Sequence, residues 1–203
     1  MKKALALISS FAIITVAPNG KILEQVLGDS TLQVKSVAEG VAVANGKIEL
    51  SNAGTINTKE DLVEVEARGN SNDLKIAASG NEFNIGENGI VASTAFPITI
   101  DPVKNELSVT TSSGERVVTV LPYEAALVVK RGKFIDDINS NQITLSEDSK
   151  GELQYLIKGE RNINLFNLAT IKADVSSNVS ASTGEILKLD EPQWLRLFGF
   201  LFS

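Results

Sequence analysis

Residues 97–121 read PITIDPVKNELSVTTSSGERVVTVL, and this stretch decides the fold class. Apolar and polar residues alternate in it with a period of two, which is typical of half-buried strands. The predicted strands are Pro97–Asp101, Glu106–Thr111 and Arg116–Leu121. The segments between them, Pro102–Asn105 and Ser112–Glu115, are rich in turn-forming residues. Three short strands joined by tight turns predict an antiparallel meander.

A helix is predicted directly after the meander. Pro122 suits the first helical position, and Glu124 in the first turn interacts favourably with the helix dipole. The apolar pattern runs to Arg131, and Gly132 is a typical residue for the end of a helix. The segment 122–132 is therefore the clearest helix of the chain, although Phe134, Ile135 and Ile138 allow a second short turn.

Strand patterns flank this central region on both sides. Before it, residues 41–44 and 47–50 enclose Asn45-Gly46, a strong signal for a two-residue hairpin turn. Val63–Ala67 and Leu74–Ala78 alternate around a polar loop, and 80–89 is turn-rich, with Phe83 and Ile85 predicted to enter a core. After it, strands are predicted over 142–146, 152–158, 162–166, 170–182 with a break at 176–178, and 185–189. The joins are too short for parallel crossovers, so we predict a mainly β (α+β) fold of antiparallel meanders and hairpins with one packed helix.

The N-terminus has the pattern of an export signal. Lys2 and Lys3 precede residues 4–17, which contain no charged side chain. As a helix this run spans about 21 Å, against a bilayer core of about 30 Å, which favours a signal peptide. Pro18 is expected to hinder cleavage, so an uncleaved anchor is the alternative. In both cases the rest of the chain is expected to be extracytoplasmic, either membrane-anchored or secreted.

Composition limits the possible functions. The net charge is −6, and because Lys2 and Lys3 contribute two positive charges, the remainder carries −8. An acidic chain without a basic cluster is a poor candidate for nucleic-acid binding. The chain has no Cys and no His, which excludes thiol nucleophiles, Ser-His-Asp triads and the usual zinc sites. There is also no glycine-rich phosphate loop. We therefore expect no cofactor, no bound metal and no catalytic residues, and we expect that the protein is not an enzyme.

The end of the chain carries a family resemblance. Val179-Ser-Ala-Ser-Thr183-Gly184-Glu185-Ile-Leu187 resembles the V-D-A-x-T-G-E-V-L close of PepSY-type domains, with Ser180 where that motif usually has Asp. The resemblance covers about 50 residues and implies a small extracytoplasmic module of a helix and antiparallel strands. A Thr-Gly-Glu sequence is also simply a good hairpin turn, as in Ser113-Gly114-Glu115. From Phe96 to Leu195 the chain is similar to uncharacterised envelope-anchored proteins of candidate-phylum bacteria, which implies a location and no activity.

Few acidic side chains suggest a site. Asp136 and Asp137 are the only adjacent aspartates, and with Glu124 they form a candidate carboxylate pair for glycan hydrolysis. Since neighbouring side chains of an extended segment point in opposite directions, a solvated location is the simpler interpretation. Two polar loops offer oxygen ligands for calcium, at Asn70, Asn72 and Asp73 and at Glu147 and Asp148, but neither has the spacing of a calcium-binding loop.

The C-terminal tail is strongly apolar. Residues 193–203 read QWLRLFGFLFS, which as a helix is too short to span a bilayer. It is predicted to pack on the domain or a partner, to lie in a membrane interface with Trp194 and Arg196 at headgroup level, or to pair as a strand. The candidate membrane or partner contacts are Trp194, Leu195, Leu197, Phe198, Phe200, Leu201 and Phe202.

These features predict five segments and one principal function. The segments are a signal or anchor (1–17), a linker (18–30), a β-rich subdomain (31–94), a meander-plus-helix PepSY-like subdomain (95–190) and the tail (191–203). The sequence leaves open whether 31–94 and 95–190 share one core. The first hypothesis is a non-enzymatic, membrane-anchored interaction module whose partner is an envelope protein. The alternatives are a self-assembling structural or adhesive surface subunit, whose partner is another copy of itself, and a carboxylate-based glycan hydrolase.

Overall fold

The computed structural model describes residues 33–37, 41–44, 46–55, 61–66, 73–165 and 169–198. Within these ranges the chain forms fourteen strands, two α-helices and a short 3-10 helix at Ala53–Thr55. The first ten strands are β1 Gln33–Val37, β2 Ala42–Ala44, β3 Lys47–Leu50, β4 Val63–Glu66, β5 Asp73–Ser79, β6 Glu82–Glu87, β7 Ile90–Thr94, β8 Ile98–Asp101, β9 Glu106–Thr111 and β10 Gly114–Val117. They are followed by α1 Pro122–Arg131, β11 Asp137–Glu147, β12 Leu153–Leu165, β13 Ala169–Ser180, β14 Ile186–Asp190 and α2 Gln193–Phe198.

The strands form two sheets. The larger has nine strands in the order β1-β4-β5-β6-β7-β11-β12-β13-β14, and the smaller has five in the order β10-β9-β8-β3-β2. The mainly β, largely antiparallel prediction is therefore confirmed. The predicted hairpin of β2 and β3 is also present, with Val43 paired to Ile48 and Gly46 at a φ of 77°, the positive value that its turn requires.

One strand pair differs from the expected antiparallel pattern. β7 and β11 run parallel, with Ile143 opposite Ala92 and Thr144 opposite Ser93. The sequence analysis excluded parallel crossovers because consecutive joins are short. The crossover here is the whole segment from β8 to α1, which leaves the nine-stranded sheet, adds three strands to the smaller sheet and returns after the helix.

Several element boundaries also correct the predictions. The segment 80–89, expected to be turns, contains β6, in which Phe83 and Ile85 are buried as predicted. The third strand of the meander ends at Val117, so Val118–Leu121 is not strand. The strands predicted at 152–158 and 162–166 are one strand, β12, and β13 has no break at 176–178. The strand β7 was not predicted, because its polar alternation is weak.

The predicted helix is confirmed as α1. Glu124 Oε2 accepts a hydrogen bond from the Leu121 N–H at 2.9 Å, which closes the first turn as in a capping box. The last helical residue is Arg131 and Gly132 is the C-cap, but the residue in the left-handed conformation is Lys133, with a φ of 57°. A Cβ at Gly132 would meet the Phe134 ring, so a larger residue at this position requires that side chain to move. Ile138 is already in β11 and not in a second helical turn.

One hydrophobic core joins both halves of the chain. Buried side chains of β3 to β6 and of β8, β9, α1 and β11 to β13 belong to a single cluster, in which Leu50, Phe83 and Tyr155 are among the largest. Strands from 31–94 and from 95–190 lie together in both sheets. The question left open by the sequence is therefore answered, because the two ranges share one core.

The predicted signal or anchor at 1–17 and the linker at 18–30 lie outside the described residues. Among the residues that the structure describes, no helix is long and apolar enough to cross a membrane.

Candidate interaction site

Two strands of the larger sheet extend beyond their neighbours. β11 pairs with β12 only as far as Asp137 opposite Glu160, and β14 pairs with β13 only as far as Asp190 opposite Ser176. Beyond these points no other described strand pairs with β12 or β13, which pair with each other up to Leu165 opposite Ala169. We call this overhanging ribbon, residues 161–165 and 169–175, together with α2, the arm.

Helix α2 packs on the core-side face of the ribbon. Leu195 is 5% exposed and forms with Ile163 and Ala173 a small apolar cluster separate from the main core. The start of α2 is fixed by an ion pair of 2.7 Å between Arg161 and Glu191, and by the hydrogen bond that the Leu195 N–H donates to the Pro192 carbonyl. Ile163, Ala173 and Leu195 therefore form a small core of the arm, whereas Val175 at the base of the arm belongs to the main cluster.

Apolar side chains remain exposed on the arm. Ile171 is 39% exposed and Trp194 is 36% exposed, beside the cluster that Leu195 completes. Of the predicted contact residues, Leu197 and Phe198 lie in α2, but their side chains are outside the described part of the chain, as are Phe200, Leu201 and Phe202. Residues Gln193–Phe198 are helical, so this part of the tail is not the pairing strand considered above.

An acidic groove lies at the base of the arm. It has a volume of about 730 Å³ and is lined by the carboxylates of Asp137, Glu160, Asp174, Asp190 and Glu191. Three of these carboxylates form ion pairs, of Glu160 with Lys172 at 2.6 Å, of Asp190 with Lys188 at 2.7 Å and of Glu191 with Arg161. The Glu160 carboxylate raises the pKa of Lys172. Among the described residues no group of three acidic side chains is arranged to hold a metal ion.

The carboxylates considered for glycan hydrolysis have structural partners. Glu124 caps α1, and Asp136 Oδ2 accepts a hydrogen bond of 2.7 Å from the Asn162 N–H on β12. Asp137 Oδ2 accepts a longer one, 3.4 Å, from Asn162 Nδ2. Asp136 and Asp137 thus fix the start of β11 against β12, and Glu124 is bound within its own helix turn.

The acids considered for calcium binding are also engaged. Glu147 accepts hydrogen bonds from Ser112 Oγ at 2.6 Å and from Thr111 Oγ1 at 2.7 Å. These hydroxyls, Ser112 first, lower the pKa of Glu147 to about 2. Asp148 accepts from the backbone N–H groups of Lys150 and Glu152, which lower its pKa. With a pKa of about 2, the Glu147 carboxylate is a poor general base at neutral pH. Asn70 and Asn72 lie outside the described residues, and Asp73 begins β5.

Comparisons with protein-family models, with curated proteins and with solved structures found no match to this chain.

The sequence analysis identified the tail but not the surface against which it packs. The sequence does contain the pattern of this surface, an alternation with polar residues along two neighbouring strands. The alternating residues are Arg161, Ile163, Ile171 and Ala173. Their pairing, with Ile163 opposite Ile171 and Arg161 opposite Ala173, became visible only with the strand register.

Proposed function

We propose that this chain is a non-enzymatic, extracytoplasmic interaction module, held at the membrane by residues 1–17, and that its arm contacts another protein of the cell envelope. The basic start and uncharged run of the N-terminus support the location. The PepSY-like resemblance fits the order in which α1 is followed by the antiparallel strands β11 to β14, with Thr183-Gly184-Glu185 in the last turn.

The observation that carries this proposal is the overhang of the arm. A two-stranded ribbon without neighbours is only marginally stable in water. The described residues supply one small cluster on one face, around Leu195, and leave Ile171 and Trp194 exposed next to it. A protein partner that covers these side chains stabilises the arm by burying their apolar surface.

The engagement of the candidate carboxylates favours an interaction module over a hydrolase. Glu124 and Asp136 accept short hydrogen bonds from backbone N–H groups, and Glu147 accepts two from hydroxyls. Each of these bonds is strongest with the ionised carboxylate, so Glu124, Asp136 and Glu147 are engaged in structural contacts, whereas Asp137 lines the acidic groove and accepts only the longer bond from Asn162 Nδ2.

The self-assembling subunit remains an alternative with less support. Of the four outermost strands of the two described sheets, β10 and β14 are short and carry charged side chains, Glu115 and Arg116 on the first and the Lys188–Asp190 ion pair on the second. Charged, short edge strands are a common protection against edge-to-edge association.

Native mass spectrometry of the protein, gently extracted from its own envelope, tests the proposal. We expect a defined complex with a second polypeptide, and a homo-oligomeric series or a free monomer contradicts it. A photoreactive benzoylphenylalanine at Trp194 should crosslink to that polypeptide. The matched control is the same group at Val103, which is 73% exposed in the turn between β8 and β9 and should give no such product.

A further inference from the structure

One edge of the arm has no neighbour among the strands that the structure describes. Over Ala169–Val175, β13 pairs with β12 on one side, and no described strand lies on its other side, because β14 begins to pair only at Ser176. The chain leaves the sheet at Glu191 and Pro192, and Leu195 of α2 then packs against Ile163 and Ala173 on the face of the ribbon.

The direction of the main-chain groups on this edge follows from the neighbouring hydrogen bonds. The Ala181 N–H donates to the Leu153 carbonyl on the β12 side, whereas the Ser180 N–H donates to the Glu185 carbonyl on the β14 side. The register between β12 and β13 has no shift from Ala169 to Ser180. Since consecutive residues of a strand point alternately to the two sides, the N–H and C=O groups of Thr170, Lys172 and Asp174 point away from β12.

The opposite edge of the arm is covered at its base. On β12, the Asn162 N–H points towards β11 and donates to Asp136 Oδ2 at 2.7 Å, while the Glu160 carbonyl accepts from the Asp136 N–H. The segment 136–137 therefore occupies the position where a further strand would bind. Among the described residues, the β13 edge of the arm therefore presents the longer run of main-chain groups without a neighbouring strand, and this run is in line with β14.

We infer that the partner of the proposed interaction module binds by strand addition, as an extended segment of another protein that pairs antiparallel with Ala169–Val175 in line with β14. This inference rests on the proposed function and names its binding mode. The free edge offers room for five to seven residues, a length of about 17–23 Å. Main-chain hydrogen bonds supply affinity, and side chains on alternate faces supply specificity.

The two faces of this edge indicate the sequence of the segment. On the α2 face, its side chains meet Ile171 and the exposed Trp194, which favours apolar residues. On the opposite face they lie beside Lys172, which is paired with Glu160, and the exposed Asp174, which favours polar residues. The ligand is therefore a segment with alternating apolar and polar side chains.

Two other occupants fit the edge less well. A second copy, pairing antiparallel through its own Ala169–Val175, is limited to this segment because β14 occupies the edge from the Ser176–Asp190 pair onward. A lipid bilayer offers no hydrogen-bond partner to the main-chain groups of Thr170, Lys172 and Asp174, and each unsatisfied group in hydrocarbon is costly.

Photocrosslinking of the full chain in its own envelope tests the inference. Benzoylphenylalanine is placed singly at Thr170, Lys172 and Asp174, and the crosslinked residues of the partner are located by mass spectrometry. We expect one short segment of one other polypeptide, with the crosslinked residue moving two positions towards its N-terminus for each step from 170 to 172 to 174. Crosslinks to lipid, to a second copy or to scattered positions, or no crosslinks, overturn the inference.

A pair of variants tests the main-chain contribution separately. Lys172→Pro removes an N–H that points to the free edge, and Lys172→Ala removes the same ion pair with Glu160 but keeps the N–H. We expect Lys172→Pro to lower recovery of the complex about fivefold relative to Lys172→Ala, the effect of about one hydrogen bond. Equal recovery of the two variants contradicts strand addition. The crosslink map does not depend on how well the proline variant folds.

The same experiments separate the two proposals. If native mass spectrometry finds no second polypeptide, the interaction module itself is wrong. If Trp194 crosslinks to a partner but positions 170, 172 and 174 do not map onto it in register, only the binding mode is wrong.

Discussion

Glu147 connects two turns that are far apart in the sequence. Its carboxylate receives the hydroxyls of Thr111 and Ser112, in the turn between β9 and β10 of the smaller sheet, while Glu147 itself ends β11 of the larger sheet. Close by, a Cβ on Gly151, whose φ is 82°, would meet Ser113 Oγ at 2.8 Å. The two sheets are thus fastened at this end by charge-assisted hydrogen bonds.

The link through Glu147 predicts a pH-dependent stability. Because folding lowers the pKa of Glu147 from 4.5 to about 2, its ionised form stabilises the fold above about pH 4.5, and this contribution is lost as the pH falls towards 2. We expect Glu147→Gln to lower the midpoint of thermal unfolding at pH 7, by a difference that shrinks between pH 4.5 and pH 2. The matched control is Glu152→Gln, an exposed acid nearby, and an equal effect of both variants contradicts the assignment.

Gly159 is required by a close approach and not by its backbone conformation. A Cβ at this position would collide with the Asp137 carbonyl and the Ile135 side chain, where β11 starts against β12. We expect Gly159→Ala to lower the free energy of unfolding by about 1–3 kcal/mol, measured by urea denaturation. Gly86→Ala is the control, because its Cβ would meet nothing closer than 3.7 Å. A loss no larger than that of Gly86→Ala would show that β11 moves aside freely.

At the scale of elements, α2 and the ribbon are held together by a small apolar cluster outside the main core. The cluster of Ile163, Ala173 and Leu195 is separate from the main core, and the Arg161–Glu191 pair involves an arginine that is 36% exposed. Partly exposed ion pairs contribute little, typically about 0–1 kcal/mol. Regions with few buried apolar contacts open before the core does.

This weak attachment predicts local opening of the arm. We expect Leu195→Ala to increase hydrogen exchange in α2 and in Ala169–Val175 at least about tenfold, which corresponds to a local loss of about 1.4 kcal/mol or more. Exchange in β5 and β6 should stay unchanged, because these strands are buried in the main core. Ile157→Ala is the contrasting variant, since Ile157 is fully buried in that core and should destabilise all strands together. Uniform exchange changes in both variants would mean that the arm is not separate.

For the whole molecule, the order of strands interleaves the two halves of the sequence. The larger sheet joins β7 to β11, and the smaller joins β3 to β8, so each sheet crosses the boundary near residue 95. Tyr155 on β12 also donates a hydrogen bond of 2.9 Å to the carbonyl of Val120, just before α1. Neither half holds a complete sheet or a complete core.

We therefore predict that neither half of the chain folds without the other. We expect fragments 1–95 and 96–203 to lack the far-ultraviolet circular dichroism of folded β-sheet when separate and to recover it on mixing. The full chain should show one cooperative unfolding transition of its sheets. A fragment that folds alone would show that the sequence contains two independent domains.

Local patterns predicted the elements for which neighbouring residues suffice. The alternation over 106–111 gave β9, Asn45-Gly46 gave the hairpin of β2 and β3, and Pro122 with Glu124 gave α1. Elements whose stability depends on distant partners were missed or misplaced. Residues 82–87, within the glycine- and asparagine-rich stretch 80–89, become β6 because they lie between β5 and β7. In the same way β12 continues through Arg161 because β13 pairs with it from Gln154 to Leu165.

The sequence by itself determined a mainly β chain with one clear helix, a basic N-terminus followed by an uncharged run, an apolar tail and no thiol or imidazole chemistry, because these follow from composition and from the period of apolar residues. Only the tertiary structure decided which strands are neighbours. Strand pairing joins residues far apart in the chain, and nothing in a local period specifies the partner. The single core, the parallel β7–β11 pair, the hydrogen bonds that engage Glu124, Asp136 and Glu147, and the arm with its free edge all follow from that pairing.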